Sequence, residues 1–363
     1  MHTGVGKARA VLQKEKAEAL LIWNSEGSGQ PATRWLSGFT GTSSVILITS
    51  AKSFLITDGR YATQSRKEAK GFLVFISSGK TSGRVLLGKL LQKHRIRNVI
   101  FDGSVTPYSV VEDTRKAFPE VAFMSHARIL QKLRISKSRE EIKLLTHAGD
   151  IAGRALRRLI PLLRAGLTEK EIAQRLETLC FEEGAEGIAF PTIAASGENG
   201  ALPHAKVTDK KIQTGELVTI DFGVCYRGYV SDMTRTFAIG RVSTRMIKIY
   251  EAVRKAQERG CEKARAGVSG REVDAVCRDY LTKEGLGKYF THSTGHGIGV
   301  EVHELPILSL SYDAKIPVGA VITCEPGVYI PGVGGVRIED ALVLTKRGHI
   351  NLTAGISKKL TIL

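Results

Sequence analysis

Short apolar runs alternate with amphipathic stretches in the first third of the chain. The apolar runs are rich in β-branched and aromatic residues and predict strands at residues 20–23, 44–48, 53–56, 72–76 and 99–101. Helical spacing of apolar positions predicts helices at residues 7–18, 59–68 and 84–94. This alternation is typical of an α/β domain. We expect that domain to occupy residues 1–128, with the basic, polar stretch 131–138 as the junction.

Longer amphipathic stretches follow and predict a second domain over residues 129–363. Helical periodicity predicts helices at residues 139–163, 168–183, 244–266 and 271–284. Thr168 and Glu171 have the spacing of a capping box, which marks a helix start. Apolar, β-branched segments after each helix pair are typical of strands. The sequence therefore predicts an α+β second domain.

An internal repeat lies within these strand segments. Residues 215–224 (GELVTIDFGV) align without gaps with residues 319–328 (GAVITCEPGV), and the acids Asp221 and Glu325 share one column. Each segment is followed by a Gly-rich turn and a predicted return strand with a second acid, Asp232 or Glu339. This pattern indicates a duplicated domain whose halves meet at the acids. The alternative is two unrelated hairpins with solvated acids, although ten columns aligned without gaps and with the acids in one column are hard to obtain by accident.

These four acids and His296 are the candidate chemistry of the chain. Four hard carboxylates and one imidazole make a poor structural zinc site, because such a site favours thiolates. They suit two oxygen-preferring divalent ions with bridging carboxylates, such as manganese, cobalt or a hydrolytic zinc pair. If these side chains converge, we expect a hydrolase built around an activated water.

Composition and charge narrow the class of protein. The chain is 42% hydrophobic and 25% charged, which permits a sizeable core, and no apolar run has the length of a membrane span. The five cysteines are odd in number, scattered and without a C-x-x-C pair, so we expect reduced thiols in a cytoplasmic protein. The net charge of +17 invites a nucleic-acid hypothesis. However, the basic residues are spread along the chain without a binding motif, and we expect neither a nucleic-acid nor a membrane partner.

Several motifs resemble the pita-bread metallopeptidases, in the branch of aminopeptidase P and prolidase. They are IDFG at 220–223, SDMTRT at 231–236, STGHGIG at 293–299, VHE at 302–304, CEPG at 324–327 and RIED at 337–340. The first domain carries SGFTG at 37–41 and TDGRY at 57–61, which are also seen in that branch. Methionine aminopeptidases share the catalytic fold but usually lack this first domain. The resemblance implies an α/β domain followed by a duplicated, α+β pita-bread catalytic domain.

The same resemblance implies roles for the five side chains. Asp221 would bind one metal through both oxygens, while His296 and Glu325 would bind the other. Asp232 and Glu339 would bridge the two ions. A hydroxide held between the ions would be the nucleophile. Glu325 would also carry a proton to the leaving amine as general base and then acid.

Further residues match active-site positions of the family. His303 matches the histidine that hydrogen-bonds the substrate and the developing oxyanion, and His292 and His204 match two more catalytic histidines. Tyr329 and Arg337 match positions that orient the ligand Asp221. His292 and His204 have the alternative of structural hydrogen bonding. Arg337 has the alternative of a surface ion pair with its near neighbour in sequence, Asp340.

The resemblance implies cleavage of bonds that precede proline, in peptides with proline in the second position. A dipeptidase (prolidase) must recognise a free carboxylate, which suits an arginine. Some prolidases carry that arginine four residues after the histidine matching His303, where this chain has Ile307. We therefore favour an Xaa-Pro aminopeptidase, with prolidase as the alternative. His204, Lys315 and Arg337 are the cations that could replace the arginine in the fold.

Two further alternatives use the same fold without metal chemistry. One is a binding module, which typically loses metal ligands, and the other is a metal-free C–N hydrolase; the intact ligand set counts against both. The resemblance also implies a homodimer, since several two-domain relatives pair through the first domain.

Overall fold

The computed structural model describes residues 3–26 and 30–363. The chain divides into two compact units, Met1–Arg134 and Ile135–Leu363, and each has its own hydrophobic core. Among the described residues, no helix combines the length and the apolar character that a membrane span requires.

The first unit is an α/β domain around one mixed sheet. Its helices are α1 (Thr3–Lys14), α2 (Pro31–Ser37), α3 (Ala62–Glu68), α4 (Gly83–Lys93), α5 (Tyr108–Ala117) and α6 (Ile129–Arg134). Its strands are β1 (Ala19–Asn24), β2 (Ser44–Thr49), β3 (Ser53–Thr57), β4 (Leu73–Ile76), β5 (Asn98–Phe101) and β6 (Ala122–Ser125). The sheet order is β4-β3-β2-β1-β5-β6, antiparallel through β1, β2 and β3 and parallel elsewhere. All five predicted strands are present.

The sequence-based boundaries fail at both ends of α1, which begins at Thr3 rather than at residue 7, and at the domain junction. Helix α1 ends at Lys14 rather than at residue 18, because Lys16 adopts a left-handed conformation (φ 52°) and β1 begins at Ala19. The stretch 131–138 is not a continuous polar junction, since α6 runs to Arg134. The carboxylate of buried Asp102 anchors α6 by accepting the N–H of Leu130 at 2.9 Å. The units therefore divide after α6 rather than after residue 128.

The second unit contains two helix pairs and several antiparallel sheets. Its helices are α7 (Arg139–Leu159), α8 (Glu169–Glu182), α9 (Thr244–Lys263) and α10 (Gly270–Lys283). The strands of its first part are β7 (Gly187–Ile188), β8 (Ile193–Ser196), β9 (Leu217–Phe222), β10 (Val224–Tyr226), β11 (Tyr229–Val230) and β12 (Met233–Ala238). Those of its second part are β13 (Gly295–Gly297), β14 (Glu304–Leu308), β15 (Val321–Cys324), β16 (Gly327–Ile330), β17 (Gly334–Arg337), β18 (Asp340–Leu344) and β19 (His349–Asn351).

The two halves of this unit repeat one arrangement. In the first half, α7 and α8 share a core with the sheet β12-β9-β8. In the second half, α9 and α10 share a core with the sheet β14-β13-β15-β18-β19. The repeated sequence segments form β9 and β15, and each pairs with a strand that precedes it and a strand that follows it. The predicted duplication is therefore present in the strand topology.

Strand register relates individual positions of the two halves. Ala195 on β8 lies opposite Thr219 on β9. The antiparallel register of β13 and β15 places His296 opposite Thr323, and the His296 N–H donates to the Thr323 hydroxyl at 3.0 Å. Thr219 and Thr323 occupy one column of the repeat. His296 and buried Ala195 are therefore equivalent positions of the two halves.

Candidate metal centre

Three predicted ligands converge from both halves of the second unit. One ligand atom each of Asp232, His296 and Glu339 lies within 4.8 Å of the others. Asp232 directly precedes β12, His296 lies on β13, and Glu339 directly precedes β18. Both carboxylates are buried, at 4% and 1% exposure. The strand ends thus bring together side chains that are far apart in the sequence.

Glu325 joins this cluster from the end of β15. Its Oε1 lies 3.2 Å from His296 Nε2 and accepts the Thr323 hydroxyl at 3.2 Å. The other imidazole nitrogen of His296, Nδ1, donates to the Gly297 carbonyl at 3.1 Å. That hydrogen bond turns Nε2 towards the carboxylates, where it can bind a metal ion once it has given up its proton.

Asp221 on β9 is held by Arg337. The guanidinium donates to Asp221 Oδ2 at 2.6 Å and to the Tyr329 hydroxyl at 2.7 Å, and Arg337 is only 4% exposed. The predicted alternative of a surface ion pair between Arg337 and Asp340 is wrong. Asp340 is fully buried and instead pairs with Arg235 at 2.7 Å.

The polar atoms of this cluster lack the partners that burial requires. Asp221 Oδ1 and Glu339 Oε1 are buried and accept no hydrogen bond. Burial, reinforced by neighbouring carboxylates, raises the pKa of both Asp232 and Glu339 well above their ordinary values. Cations would supply the missing partners and favour the ionised acids. The donor set therefore fits divalent metal ions that prefer oxygen ligands.

The pair of Glu325 and His296 behaves differently. Burial opposes the charge of Glu325, but the hydrogen bond and charge of His296 outweigh it and lower the pKa of Glu325 to about 2. Burial likewise opposes the charge of His296, while Glu325 and Asp232 raise the pKa of His296 to about 9. Protonated His296 is thus the counter-ion of Glu325 and Asp232 when no metal ion is bound.

The three further histidines have different surroundings. His303 is an exposed residue whose ring centroid lies 4.2 Å from that of His296. His204 is also exposed, and the loop that carries it is held where Arg337 donates to the Pro203 carbonyl at 3.2 Å. Although His303 is exposed overall, desolvation of its imidazole by the groups packed around it, followed by the charge of His296, lowers the pKa of His303. His303 and His204 are therefore open to a bound molecule.

His292 is engaged within the protein. Its Nδ1 lies 2.7 Å from the Ser293 carbonyl and must donate to it, so Nε2 accepts the Tyr329 hydroxyl at 2.9 Å. Arg337 in turn donates to the same hydroxyl. Burial lowers the pKa of His292, which fits this neutral tautomer. These contacts match the structural alternative for His292.

Sequence reasoning placed Thr234 on the same strand face as Asp232 but gave no role to it, to Thr323 or to the ion pair of Lys137 and Glu304. Thr234 donates to Glu339 Oε2 at 2.8 Å, as Thr323 does to Glu325. Their positions, two residues from Asp232 and from Glu325 on strands, were a usable signal because alternate strand residues share a face. Glu304, the neighbour of His303 in sequence, forms a buried ion pair with Lys137 at 3.1 Å, and the two residues lie too far apart in the chain to give such a signal.

Comparisons with known proteins place this geometry in a family. The sequence matches the description "Metallopeptidase family M24" over residues 143–346 and "Creatinase/Prolidase N-terminal domain" over residues 5–136. The chain belongs to metallopeptidase family M24. Its two domains are the N-terminal creatinase domain and the pita-bread catalytic domain of M24, which confirms the predicted fold class.

The similar proteins include both an aminopeptidase and dipeptidases that are named for Xaa-Pro substrates. The X-Pro aminopeptidase of Thermotoga maritima MSB8 is 38% identical, with a TM-score of 0.90 over 96% of this chain and 98% of its own. The Xaa-Pro dipeptidase of Bacillus anthracis is 38% identical, with a TM-score of 0.94 over 99% of each chain. The Xaa-Pro dipeptidase of Pyrococcus horikoshii is 42% identical over 250 residues, 69% of this chain and 71% of its own.

Proposed function

We propose that this M24 protein is an Xaa-Pro aminopeptidase, which removes an N-terminal residue that precedes proline. The observation that carries the proposal is the convergence of Asp232, His296, Glu325 and Glu339 from two duplicated halves. The charge of Asp221 acts on Asp232, and two carboxylate oxygens, one on Asp221 and one on Glu339, have no hydrogen-bond partner. Asp221, Asp232, His296, Glu325 and Glu339 would hold two divalent ions, manganese or cobalt by preference and zinc as a further candidate. Relatives named for Xaa-Pro substrates support the substrate class.

The bound ions would lower the pKa of a water and polarise the scissile carbonyl. Side chains of the protein would supply the proton transfer, the hydrogen bond to the carbonyl oxygen and the positioning of the metal ligands. The Glu325 carboxylate lies beside His296 at the end of β15, and it is suited to accept a proton and pass it to the leaving nitrogen. Exposed His303 is suited to donate a hydrogen bond to charge that develops on the carbonyl oxygen. Arg337 holds Asp221 in place.

The substrate bond explains why such a site is needed. An Xaa-Pro bond is a tertiary amide without an N–H, so an enzyme that recognises the scissile N–H handles it badly. A site that acts through the carbonyl oxygen and the free N-terminus avoids that requirement. The arrangement above needs no hydrogen bond to the scissile nitrogen until the amine leaves.

Aminopeptidase action is favoured over dipeptidase action by the charges around Ile307. Ile307 is half-buried on β14, opposite His296. Two of the cations that could replace an arginine there are engaged elsewhere, since Lys315 pairs with Glu272 at 2.8 Å and Arg337 binds Asp221. A dipeptide carboxylate near the acidic cluster would thus lack a matched cation, which disfavours its desolvation.

Dipeptidase action is the second candidate. The specific observation in its favour is the likeness to the Bacillus anthracis Xaa-Pro dipeptidase over nearly the whole of both chains. Exposed His204 is the remaining side chain that could bind a substrate carboxylate. We further propose a cytoplasmic protein, in keeping with its five free thiols.

The test compares Ala-Pro, Ala-Pro-Ala and Ala-Ala-Ala with protein that has been stripped of metal, verified by elemental analysis, and reloaded with manganese or cobalt. We expect no turnover without metal, and after reloading a kcat/KM for Ala-Pro-Ala at least equal to that for Ala-Pro. Ala-Ala-Ala is the control and should not be cleaved. A preference for Ala-Pro above about tenfold, roughly 1.4 kcal/mol, would support the dipeptidase instead. Failure of the fully loaded protein on both proline peptides would overturn the proposal.

A further inference from the structure

Glu169 is a fully buried carboxylate outside the metal centre. It is the first residue of α8, and both of its oxygens are saturated by donors from one distant segment. Oε1 accepts the Ser196 N–H at 2.8 Å, the Ser196 hydroxyl at 3.0 Å and the Asn199 amide at 3.1 Å. Oε2 accepts the same Asn199 amide at 3.1 Å, the Thr208 N–H at 3.1 Å and the Thr208 hydroxyl at 2.6 Å.

These donors bracket the segment that carries His204. We call residues 197–207 the histidine loop; it begins after Ser196 and ends before Thr208. Its two ends are thus fixed to one carboxylate. The donors are neutral, and the nearby cation, Lys210, donates to Ser196 and Glu216 instead of to Glu169. An anionic acceptor with only neutral donors makes strong, charge-assisted hydrogen bonds.

The far side of the histidine loop rests on the metal centre. Arg337, which binds Asp221, also donates to the Pro203 carbonyl at 3.2 Å. The loop backbone packs closely on β17, where a Cβ added to Gly335 would lie 2.0 Å from the Gly200 carbonyl oxygen. The loop is therefore held between Glu169 on one side and the strand of Arg337 on the other.

His204 itself has no comparable support. It is exposed, and within residues 3–26 and 30–363 no hydrogen bond to its ring is present. Its position relative to the metal centre is therefore inherited from the backbone of the histidine loop. A displacement of about 1 Å of a group that contacts substrate can lower the rate roughly a hundredfold. The anchor of the loop should accordingly matter to catalysis.

We propose that Glu169 is a positioning residue for the reaction of this enzyme, because it fixes the histidine loop and so places His204 beside the metal centre. The catalytic consequence rests on the proposed function, whereas the anchoring of the loop does not. Glu169 lies outside the metal ligand set and acts through the loop.

Glu169→Gln tests the anchor without shortening the side chain. In either amide orientation, the new NH₂ group faces donors of Ser196 or of Thr208, so one end of the loop is released. Glu171→Gln is the matched control, because Glu171 lies in the same helical turn, is exposed, and caps the helix through the Thr168 N–H at 2.7 Å. Both variants lose one negative charge from α8, and only the first loses the loop anchor.

Three measurements separate positioning from general damage. Amide hydrogen exchange in residues 196–208 should rise in Glu169→Gln and stay near wild type in Glu171→Gln, with metal content unchanged in both. The kcat/KM for Ala-Pro-Ala should fall roughly ten- to a hundredfold in Glu169→Gln. In a His204→Ala background the same substitution should cost less than about threefold, because coupled residues are non-additive.

Each result has a counterpart that would overturn the proposal. Unchanged exchange in the loop would show that Glu169 is not its anchor, and a full multiplicative loss on top of His204→Ala would show that Glu169 does not act through His204. If the wild type cleaves neither proline peptide, the proposed function fails while hydrogen exchange still decides the anchor. If Glu169→Gln does not fold, Thr208→Val is the second variant, because it removes one hydroxyl donor and keeps the carboxylate. We expect it to raise hydrogen exchange in the loop and to lower kcat/KM by smaller factors. Hydrogen exchange equal to that of the wild type in Thr208→Val would contradict the anchor.

Discussion

Asp232 and Glu339 lie at the centre of the site as buried acids with raised pKa values. We predict that Asp232→Asn and Glu339→Gln each reduce both metal content and turnover, because a bridging carboxylate holds two ions. The measurement is metal per chain by elemental analysis together with kcat on Ala-Pro-Ala, with the exposed acid variant Asp313→Asn as control. A variant that retains two ions and more than about a tenth of the kcat, a loss below roughly 1.4 kcal/mol, would refute the bridging role.

Substitution of His303 should lower turnover without loss of metal, unlike substitution of Asp232 or Glu339. His303 is exposed and its ring lies beside that of His296, which suits contact with substrate rather than with metal. We predict that His303→Ala lowers kcat roughly 10²–10³-fold, the usual loss for one oxyanion donor, while metal content stays near that of the wild type. Parallel loss of metal and activity would instead make His303 a metal ligand or the support of one.

The sequence located the candidate side chains, and the family resemblance correctly paired Arg337 with Asp221, but other contacts of these side chains were not predicted. Motifs and the repeat pointed to acids that the fold does bring together. The hydrogen bond between His292 and Tyr329, by contrast, joins β16 to a segment that lies far from it in sequence, and no local spacing encodes it. Likewise, the closeness of Arg337 and Asp340 in sequence suggested an ion pair, whereas the first points to Asp221 and the second to Arg235.

Helix starts were predicted better than helix ends. Capping boxes at Ser138, Thr168 and Ser269 fix the starts of α7, α8 and α10 to within one residue of the prediction. The end of α7 was set too late, because Pro161 has no N–H and the chain tightens into a 3₁₀ turn after Leu159. The short elements α2, α5 and β6 were missed, since the seven residues of α2 span too few turns to show a period.

The pairing of α7 with α8 supplies a prediction about pH. Arg154 and Arg158 lie one turn apart on α7, and both bind Glu183 at the end of α8, at 2.7 and 2.9 Å. These hydrogen bonds lower the pKa of Glu183 below its usual value. A depressed carboxyl pKa stabilises the folded protein above the unfolded-state pKa of about 4.3, and this contribution is lost as the pH falls towards the folded value.

We therefore predict that Glu183→Gln lowers Tm at pH 7, and that its difference from wild type shrinks below about pH 4. The measurement is Tm by calorimetry over a pH series. Glu182→Gln is the control, because Glu182 makes one exposed ion pair with Arg158 and such pairs contribute little. A Tm difference for Glu183→Gln that stays constant down to pH 3 would show that loss of the charge is not its cause.

For the molecule as a whole, we predict a homodimer. The support is the resemblance to two-domain relatives that pair through the first domain, and this chain has both domains. Light scattering across a concentration series should give a mass near twice the 39.5 kDa of one chain. A mass of one chain at every concentration would contradict the prediction.

The equivalence of His296 and Ala195 has a consequence for the direction of a bound peptide. A site with exact twofold symmetry would offer the same ligands to a chain entering from either end, and could not tell an amino terminus from a carboxyl terminus. Here one half contributes an imidazole where the other contributes a methyl group, although both present it opposite a threonine of the same repeat column. This difference between the duplicated halves makes the two sides of the centre chemically unequal, as the proposed removal of a residue from one end of a peptide requires.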